Sequence, residues 1–329
     1  MKKYKSKLDV LETQSAIRFL RHRFEDELCS ILELSRVSAP LFVKRGTGIN
    51  DDLNGVERPV AFDILETGEE VEIVHSLAKW KRLALHKYNF PVHKGLYTDM
   101  NAIRRDEHCD NLHSLYVDQW DWEKVIDRQD RNVDYLKDTV RKIYKAIIKT
   151  AEFIEQKYPA LKSFLPEEIQ FITTQELEDM YPELSPKERE TEISKKYGAV
   201  FIMQIGARLK SGEKHDGRAP DYDDWKLNGD IVVYYPVLES AFEISSMGIR
   251  VDKDSLLAQL KAENAEERLS FEFHKMLIDD KLPLTIGGGI GQSRLCMLLL
   301  QKAHIGEVHA SVWPENEVAR CKELGIELL

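Results

Sequence analysis

Thr285-Ile-Gly-Gly-Gly-Ile-Gly-Gln-Ser-Arg-Leu-Cys-Met-Leu-Leu-Leu300 runs four glycines straight into an apolar helix whose first turn carries Arg294. Glycine lets a backbone approach a ligand closely, and a helix start favours an anion. The competing reading is a strand-to-helix turn that needs its glycines for packing alone. A Walker loop is excluded because the lysine of that pattern is missing. The strict dinucleotide-binding glycine spacing, with an acid about twenty residues on, is missing as well. Arg294 offers a planar cation to stack on a base or to pair with phosphate.

Working outward, residues 229–250 read as two strands joined by a short turn, carrying Asp230 and Glu243 amid apolar neighbours. Such acids either face solvent on an edge or hold a hard cation such as magnesium beside substrate phosphates. Alternation puts Glu243 and Ser245 on one face, and Ser246 and Arg250 extend the polar segment. Further strand-like runs fall at 60–65, 71–74, 96–103, 115–120, 170–172 and 199–205, with 231–238 and 241–249 for the pair just described. The segment 34–43 alternates too, but Pro40 suits the end or edge of a strand. Helical spacing marks 13–32, where Ile17, Leu20, Phe24, Leu28 and Ile31 recur three or four apart. It also marks 76–89, 133–157, 186–197, 253–278 and 291–302. Strands grouped together with helices inserted irregularly indicate an α+β fold. No linker or repeat divides the chain, so 1–329 reads as one domain.

Composition narrows the class. The 329 residues carry 47 Lys+Arg against 57 Asp+Glu, and a net charge of -10 with 43% hydrophobic content describes a globular chain able to bury a core without staples. Cys29, Cys109, Cys296 and Cys321 are scattered, with neither metal-site nor disulfide spacing, which points to a reduced, cytoplasmic protein. The basic N-terminus leads into a polar helix, and no stretch reaches the roughly 18 apolar residues of a membrane span. An acidic balance argues against a nucleic-acid partner.

Three other segments carry chemistry. His75-Ser-Leu-Ala-Lys-Trp-Lys81 leaves a strand and enters a helix, so Ser76 and Lys81 come to face one cleft. Lysines on helices are usually solvated, however, and His75 by itself reads as a satisfied strand-end residue. In Tyr116-Val-Asp-Gln-Trp-Asp-Trp122, Asp118 and Trp120 face one way while Gln119 and Asp121 face the other. A carboxylate beside an amide is a fitting clamp for a substrate ammonium. Ala219-Pro-Asp-Tyr-Asp-Asp-Trp225 is either an acidic turn or the border of a nucleotide and its metal.

Taken in order, these segments resemble the ammonia-dependent aspartate–ammonia ligases, also called asparagine synthetase A. The likeness runs nearly end to end. It rests on His75-Ser-Leu-Ala-Lys-Trp-Lys-Arg82, Tyr116-Val-Asp-Gln-Trp-Asp-Trp-Glu123, Arg218-Ala-Pro-Asp-Tyr-Asp-Asp-Trp225, Leu227-Asn-Gly-Asp230, Phe242-Glu-Ile-Ser-Ser-Met-Gly-Ile-Arg-Val251 and Gly287-Gly-Gly-Ile-Gly-Gln-Ser-Arg294. The resemblance implies the catalytic core of class II aminoacyl-tRNA synthetases, an antiparallel sheet flanked by helices, as a homodimer. The first helix and the strand ending in Pro40 look like the dimer-forming motif. Strand 96–103 with Arg104 and Glu107 looks like the motif whose arginine holds the α-phosphate, and Arg294 like the arginine lying against adenine. One departure is at 225–228, where Trp-Lys-Leu-Asn is shorter than the family's loop, the place of an active-site lid.

The implied reaction joins aspartate, ATP and ammonia into asparagine, AMP and diphosphate through a β-aspartyl adenylate. By the same resemblance Arg104 and Arg294 contact ATP, while Asp230 and Glu243, with Asp223 nearby, organise magnesium and ribose or phosphate groups. Asp51, Gln119 and Asp121 face the aspartate ammonium, and Ser76, Lys81, Ser246 and Arg250 its carboxylates. Position two is Lys2 rather than the cysteine of a glutamine-using enzyme, so free ammonia is the expected donor, with Asp51 as the proton acceptor. The rival enzyme is a tRNA-synthetase relative that transfers aspartyl groups, which needs an RNA-binding surface that the net charge does not offer. A rival from another class is a non-catalytic sensor of aspartate or AMP, which need not keep both phosphate-contacting arginines and the metal-type acids. Turnover separates the two.

Overall fold

The computed structural model describes residues 4–51, 53 and 57–329. The chain opens with α1 (Val10–Leu32), capped reciprocally by Asp9 and Glu12, then β1 (Leu34–Arg36), β2 (Phe42–Lys44), β3 (Ala61–Asp63), β4 (Glu70–Ile73) and α2 (Ala78–Lys87). Next come β5 (Gly95–Ile103), β6 (Tyr116–Val125), α3 (Val133–Lys157), β7 (Gln170–Thr173), α4 (Thr174–Met180), α5 (Pro186–Tyr197) and β8 (Ala199–Met203). The last third holds β9 (Asp223–Tyr235), β10 (Ser240–Arg250), α6 (Lys253–Ala262), α7 (Glu272–Ile278), β11 (Thr285–Gly291), α8 (Gln292–Leu299) and α9 (Glu315–Leu324). Among the described residues no helix is long and apolar enough to cross a membrane.

Eight strands form the main sheet in the order β1-β5-β6-β11-β10-β9-β8-β7, and β2-β4-β3 make a small second sheet. The centre of the large sheet is antiparallel, as expected, but β1 joins β5 and β7 joins β8 in parallel, so the sheet as a whole is mixed. Its core lies under α1 and α3. Ala16, Leu20, Phe24, Leu28 and Leu32 repeat every four residues along one stripe of α1, and that stripe packs with Ile143, Ile147 and Ile154 of α3 and with Trp120 and Trp122 of β6.

Several boundaries differ from the sequence reading for local physical reasons. The 34–43 segment breaks into β1 and β2 around Pro40, which has no N–H for a ladder. The expected helix 253–278 is α6, a 3-10 turn over Glu266–Ser270 and α7. Asn264 adopts φ 54° between them, and the reversal lets Leu256 and Leu260 share one small core with Phe273 and Leu277. β6 runs on to Val125, because burial of both faces from Trp120 onward erases the alternation that marks a strand. The α4 and α9 helices are additions.

Two corrections touch the site. Residues 225–228 are not a lid loop but part of β9. Between the pairs Gly248↔Asn228 and Arg250↔Asp223, β10 advances two residues and β9 five, so the excess chain bulges within the strand. Trp225 lies in this bulge, buried, with its backbone N–H on the Gln259 side-chain oxygen and its indole N–H toward the Ala219 carbonyl. A second slip, between Glu243 and Ser245, breaks the alternation. Glu243 and Ser246 therefore face the cavity described next, whereas Ser245 is buried in the sheet and does not.

Candidate active site

A cavity of about 500 Å³ opens over the middle of the large sheet, between the loop before β3, the start of α2, the β5–β6 connection, the loop before β9 and the head of α8. Eleven of the twelve residues singled out by sequence line it. Asp51, Ser76, Lys81, Arg104, Gln119 and Asp121 approach from the first half of the chain, and Asp223, Glu243, Ser246, Arg250 and Arg294 from the second. Asp230 does not border the cavity, but it is hydrogen bonded to Arg218, which does.

The floor explains the glycines. A Cβ on Gly287 would run into the Glu123 carboxylate and the Arg250 guanidinium, and one on Gly289 into the Gln119 amide. β11 thus bears no side chain at 287 and 289, so that those of its neighbours β6 and β10 can lie across it. The packing reading holds at both positions, with the site's own polar side chains as the packed groups.

Across that floor runs a buried charge network. Arg250 donates through Nε and Nη2 to Glu123, at 3.0 and 2.7 Å, and through Nη1 to Asp223. Thr285 donates to the same Glu123 carboxylate at 2.7 Å. Lys81, 1% exposed, donates to Asp121 and to the Trp122 carbonyl, and stands 3.6 Å from Glu123. Burial pushes the Asp121 carboxyl up, with Lys81 opposing. At Glu123 burial acts the same way, but Arg250 and Lys81 outweigh it and hold the carboxyl below its ordinary value. Of the four residues read as contacts for substrate carboxylates, the two cations Lys81 and Arg250 are therefore already fixed by acids, which pre-orients the remaining N–H groups of Arg250.

Toward the other end, Arg218 forks to Ser246 Oγ at 2.7 Å and Asp230 Oδ1 at 2.6 Å. Arg294 donates to the Glu243 carbonyl at 3.0 Å and lies 3.9 Å from its carboxylate. Burial and the neighbouring Glu243 push Asp230 up to about 7, against the pull of Arg218. Glu243 stays below its ordinary value because Arg294, Lys187 and Arg218 outweigh its desolvation. Asp230 and Glu243, on the paired strands β9 and β10, offer the hard carboxylate oxygens that a divalent cation such as magnesium takes. Arg104 fixes its backbone through Leu115 and keeps a buried Nε with no hydrogen-bond partner.

Asp51 is 2% exposed, and its Oδ1 accepts from the Leu53 N–H. His75 holds this loop, its backbone N–H on the Asn50 side-chain oxygen and its Nδ1 against the Asp51 carbonyl, but its buried Nε2 has no partner among the described residues, so the strand-end residue expected to be satisfied is satisfied at one ring nitrogen only. Two residues escaped the sequence reading. Glu123 continues the Gln119–Asp121 alternation by one more step, a signal that was present. Arg218 reaches in from a loop, where no periodicity marks it.

The family model described as aspartate–ammonia ligase matches residues 11–325. An aspartate–ammonia ligase of Clostridium tetani is 63% identical over 329 residues, covering 100% of this chain and 96% of the relative. One from Bacillus cereus is 60% identical over 325 residues, covering 99% of each. Among solved structures, asparaginyl-tRNA synthetase from Pyrococcus horikoshii complexed with asparaginyl-adenylate superposes with a TM-score of 0.65 at 14% identity, covering 92% of this chain and 70% of that one. The Entamoeba histolytica asparaginyl-tRNA synthetase gives 0.62 at 13% identity, covering 91% and 67%. The α+β architecture is accordingly that of the class II aminoacyl-tRNA synthetases, and the chain belongs to the aspartate–ammonia ligase family.

Proposed function

We propose that the chain makes L-asparagine from L-aspartate, ATP and ammonia through a β-aspartyl adenylate. A carboxylate is a poor electrophile, so its β-oxygen first attacks the α-phosphorus of ATP, and diphosphate leaves with the electrons of the broken P–O bond. Ammonia then attacks the β-carbonyl carbon, the C–O bond to phosphate breaks, and AMP departs. The observation that carries this reading is the cavity in which Arg104 and Arg294 stand at one end, the Lys81–Asp121 and Arg250–Glu123 pairs at the other, and Arg218 between them. One end suits a polyphosphate and the other a zwitterionic amino acid.

In this reading Arg104 turns its unpaired Nε to the α-phosphate and Arg294 lies against the nucleotide. Ser76, Lys81, Ser246 and Arg250 receive carboxylate oxygens of aspartate, while Gln119, Asp121 and Asp51 receive its ammonium. Asp223, bonded to Arg250, completes that anchor rather than standing beside Asp230. Asp230 and Glu243 would hold magnesium, which when bound supplies positive charge to the phosphate oxygens. Asp51 takes the proton that ammonium must lose before attack. The resemblance also supports a homodimer built on α1 and the edge strand β1, in the cytoplasm.

Incubation with aspartate and Mg-ATP, with ammonium, glutamine or neither, tests the scheme. Asparagine and AMP are expected with ammonium and hardly with glutamine, whereas ADP in place of AMP would overturn the adenylate route. Asp51→Asn is expected to lower asparagine formation more than adenylate formation. Equal loss in both half-reactions removes Asp51 as the proton acceptor.

A further inference from the structure

Asp230 and Ser246 sit directly opposite one another on paired strands β9 and β10. The Arg218 fork spans them, one arm on each. The side chain enters from the loop before β9, is mostly buried, and borders the cavity that Asp230 does not reach. Its guanidinium is therefore the group through which that carboxylate meets the cavity. Its Nε is buried and has no hydrogen-bond partner, although the side chain is charged. An orphaned buried donor is costly to the fold, so an acceptor brought in beside it is bound favourably.

Resting on the adenylate reading above, we propose that Arg218 is a further nucleotide-binding residue, one that alternates with the divalent cation as partner of Asp230. A guanidinium 2.6 Å from Asp230 Oδ1 and a dication compete for the same carboxylate. When the cation takes Asp230, the freed arm of Arg218 passes to a phosphate oxygen while the other stays on Ser246. One cation is thereby exchanged for another at the carboxylate, and the displaced charge goes to the anion that arrived with the newcomer. Ser246 is also a residue assigned to the substrate carboxylates, so Arg218 sits where the two reactants meet.

Manganese binding to the nucleotide-free protein, followed by the electron paramagnetic resonance of the free ion, tests the competition without turnover. Arg218→Met is expected to bind Mn2+ at least tenfold more tightly than the parent chain, and the gain should vanish in Arg218→Met/Asp230→Asn. Unchanged or weaker binding in Arg218→Met overturns the proposal, as does a gain that survives loss of Asp230. Arg218→Lys keeps a charge without the fork and stands in if the methionine variant does not fold. It is expected to hold Mn2+ affinity within about threefold of the parent while aspartate-dependent exchange of diphosphate into ATP falls at least tenfold. Full exchange activity in Arg218→Lys would remove the phosphate role. An enzyme that formed ADP would fail the product test above yet leave the manganese measurement standing, so the two ideas fail separately.

Discussion

Glu123 does not line the cavity, yet three groups of the floor converge on it: Arg250, Thr285 and, at 3.6 Å, Lys81. Replacing it by alanine leaves a fully buried guanidinium with one acid in place of two. The expected cost is about 3–5 kcal/mol of unfolding free energy, measured by urea titration, because removing one member of a buried pair strands the other. Gly287→Ala attacks the same point from the opposite side by driving a methyl group into that pair. We expect a loss of about 1–3 kcal/mol and a rise in the KM for aspartate larger than that for ATP. Alternation and helical spacing, being local, paired Gln119 with Asp121 and Ser76 with Lys81, and only through the family resemblance did the sequence place Lys81, Asp121 and Arg250 at one site. It did not show that Arg250 and Lys81 would be held by acids, or that Arg218 would join them. Those contacts span up to 127 positions, as between Arg250 and Glu123, and no local period encodes them.

At the level of elements, α8 shows how one strand completes another element's end. Its N-cap is Gly291, which has no side chain to offer. Instead Asp118 of β6 accepts from the Ser293 N–H at 2.9 Å and from its hydroxyl at 2.8 Å, and Arg21 of α1 donates to the same carboxylate. An acid at a helix start both caps it and suits its dipole. Asp118→Ala is therefore expected to cost about 2–4 kcal/mol and to loosen the turn that carries Arg294. Kinetics should show the KM for ATP rising more than that for aspartate; an equal rise in both would separate Asp118 from the nucleotide side. The alternation of Asp118 away from Gln119 was legible, but its service to α8 was not, since the two lie 175 positions apart. Boundaries failed where tertiary structure overrode local pattern. The β9 bulge around Trp225 and the slip after Glu243 both depend on which strand lies alongside, and a single strand's sequence does not state that.

Over the whole molecule, the depressed carboxyls set the response to acid. Glu123, Asp221 and Asp252 all lie below their ordinary values, Asp221 despite full burial because Lys79, His274 and Arg268 surround it. A folded-state value below the unfolded one contributes stability that is complete above the unfolded value, about 4, and is lost as pH falls through the folded one. Urea midpoints should thus fall steeply below about pH 4, and Glu123→Gln should flatten that limb relative to the parent. The class of fold was legible because grouped strands and irregular helices are a coarse property of the whole chain. The parallel edges were not, for β1 and β7 are three and four residues long and carry little pattern of their own. The order of the sheet also bears on synthesis. β11 closes the gap between β6 and β10, so both hairpins, β5–β6 and β9–β10, must wait with an unpaired edge for a strand near the C-terminus. At about 5–20 residues per second, β6 waits on the order of 10–30 s after its own translation. Through that interval the nascent chain displays two unpaired sheet edges, a template for pairing with other chains, and shielding them until the glycine strand arrives protects its yield in the cell.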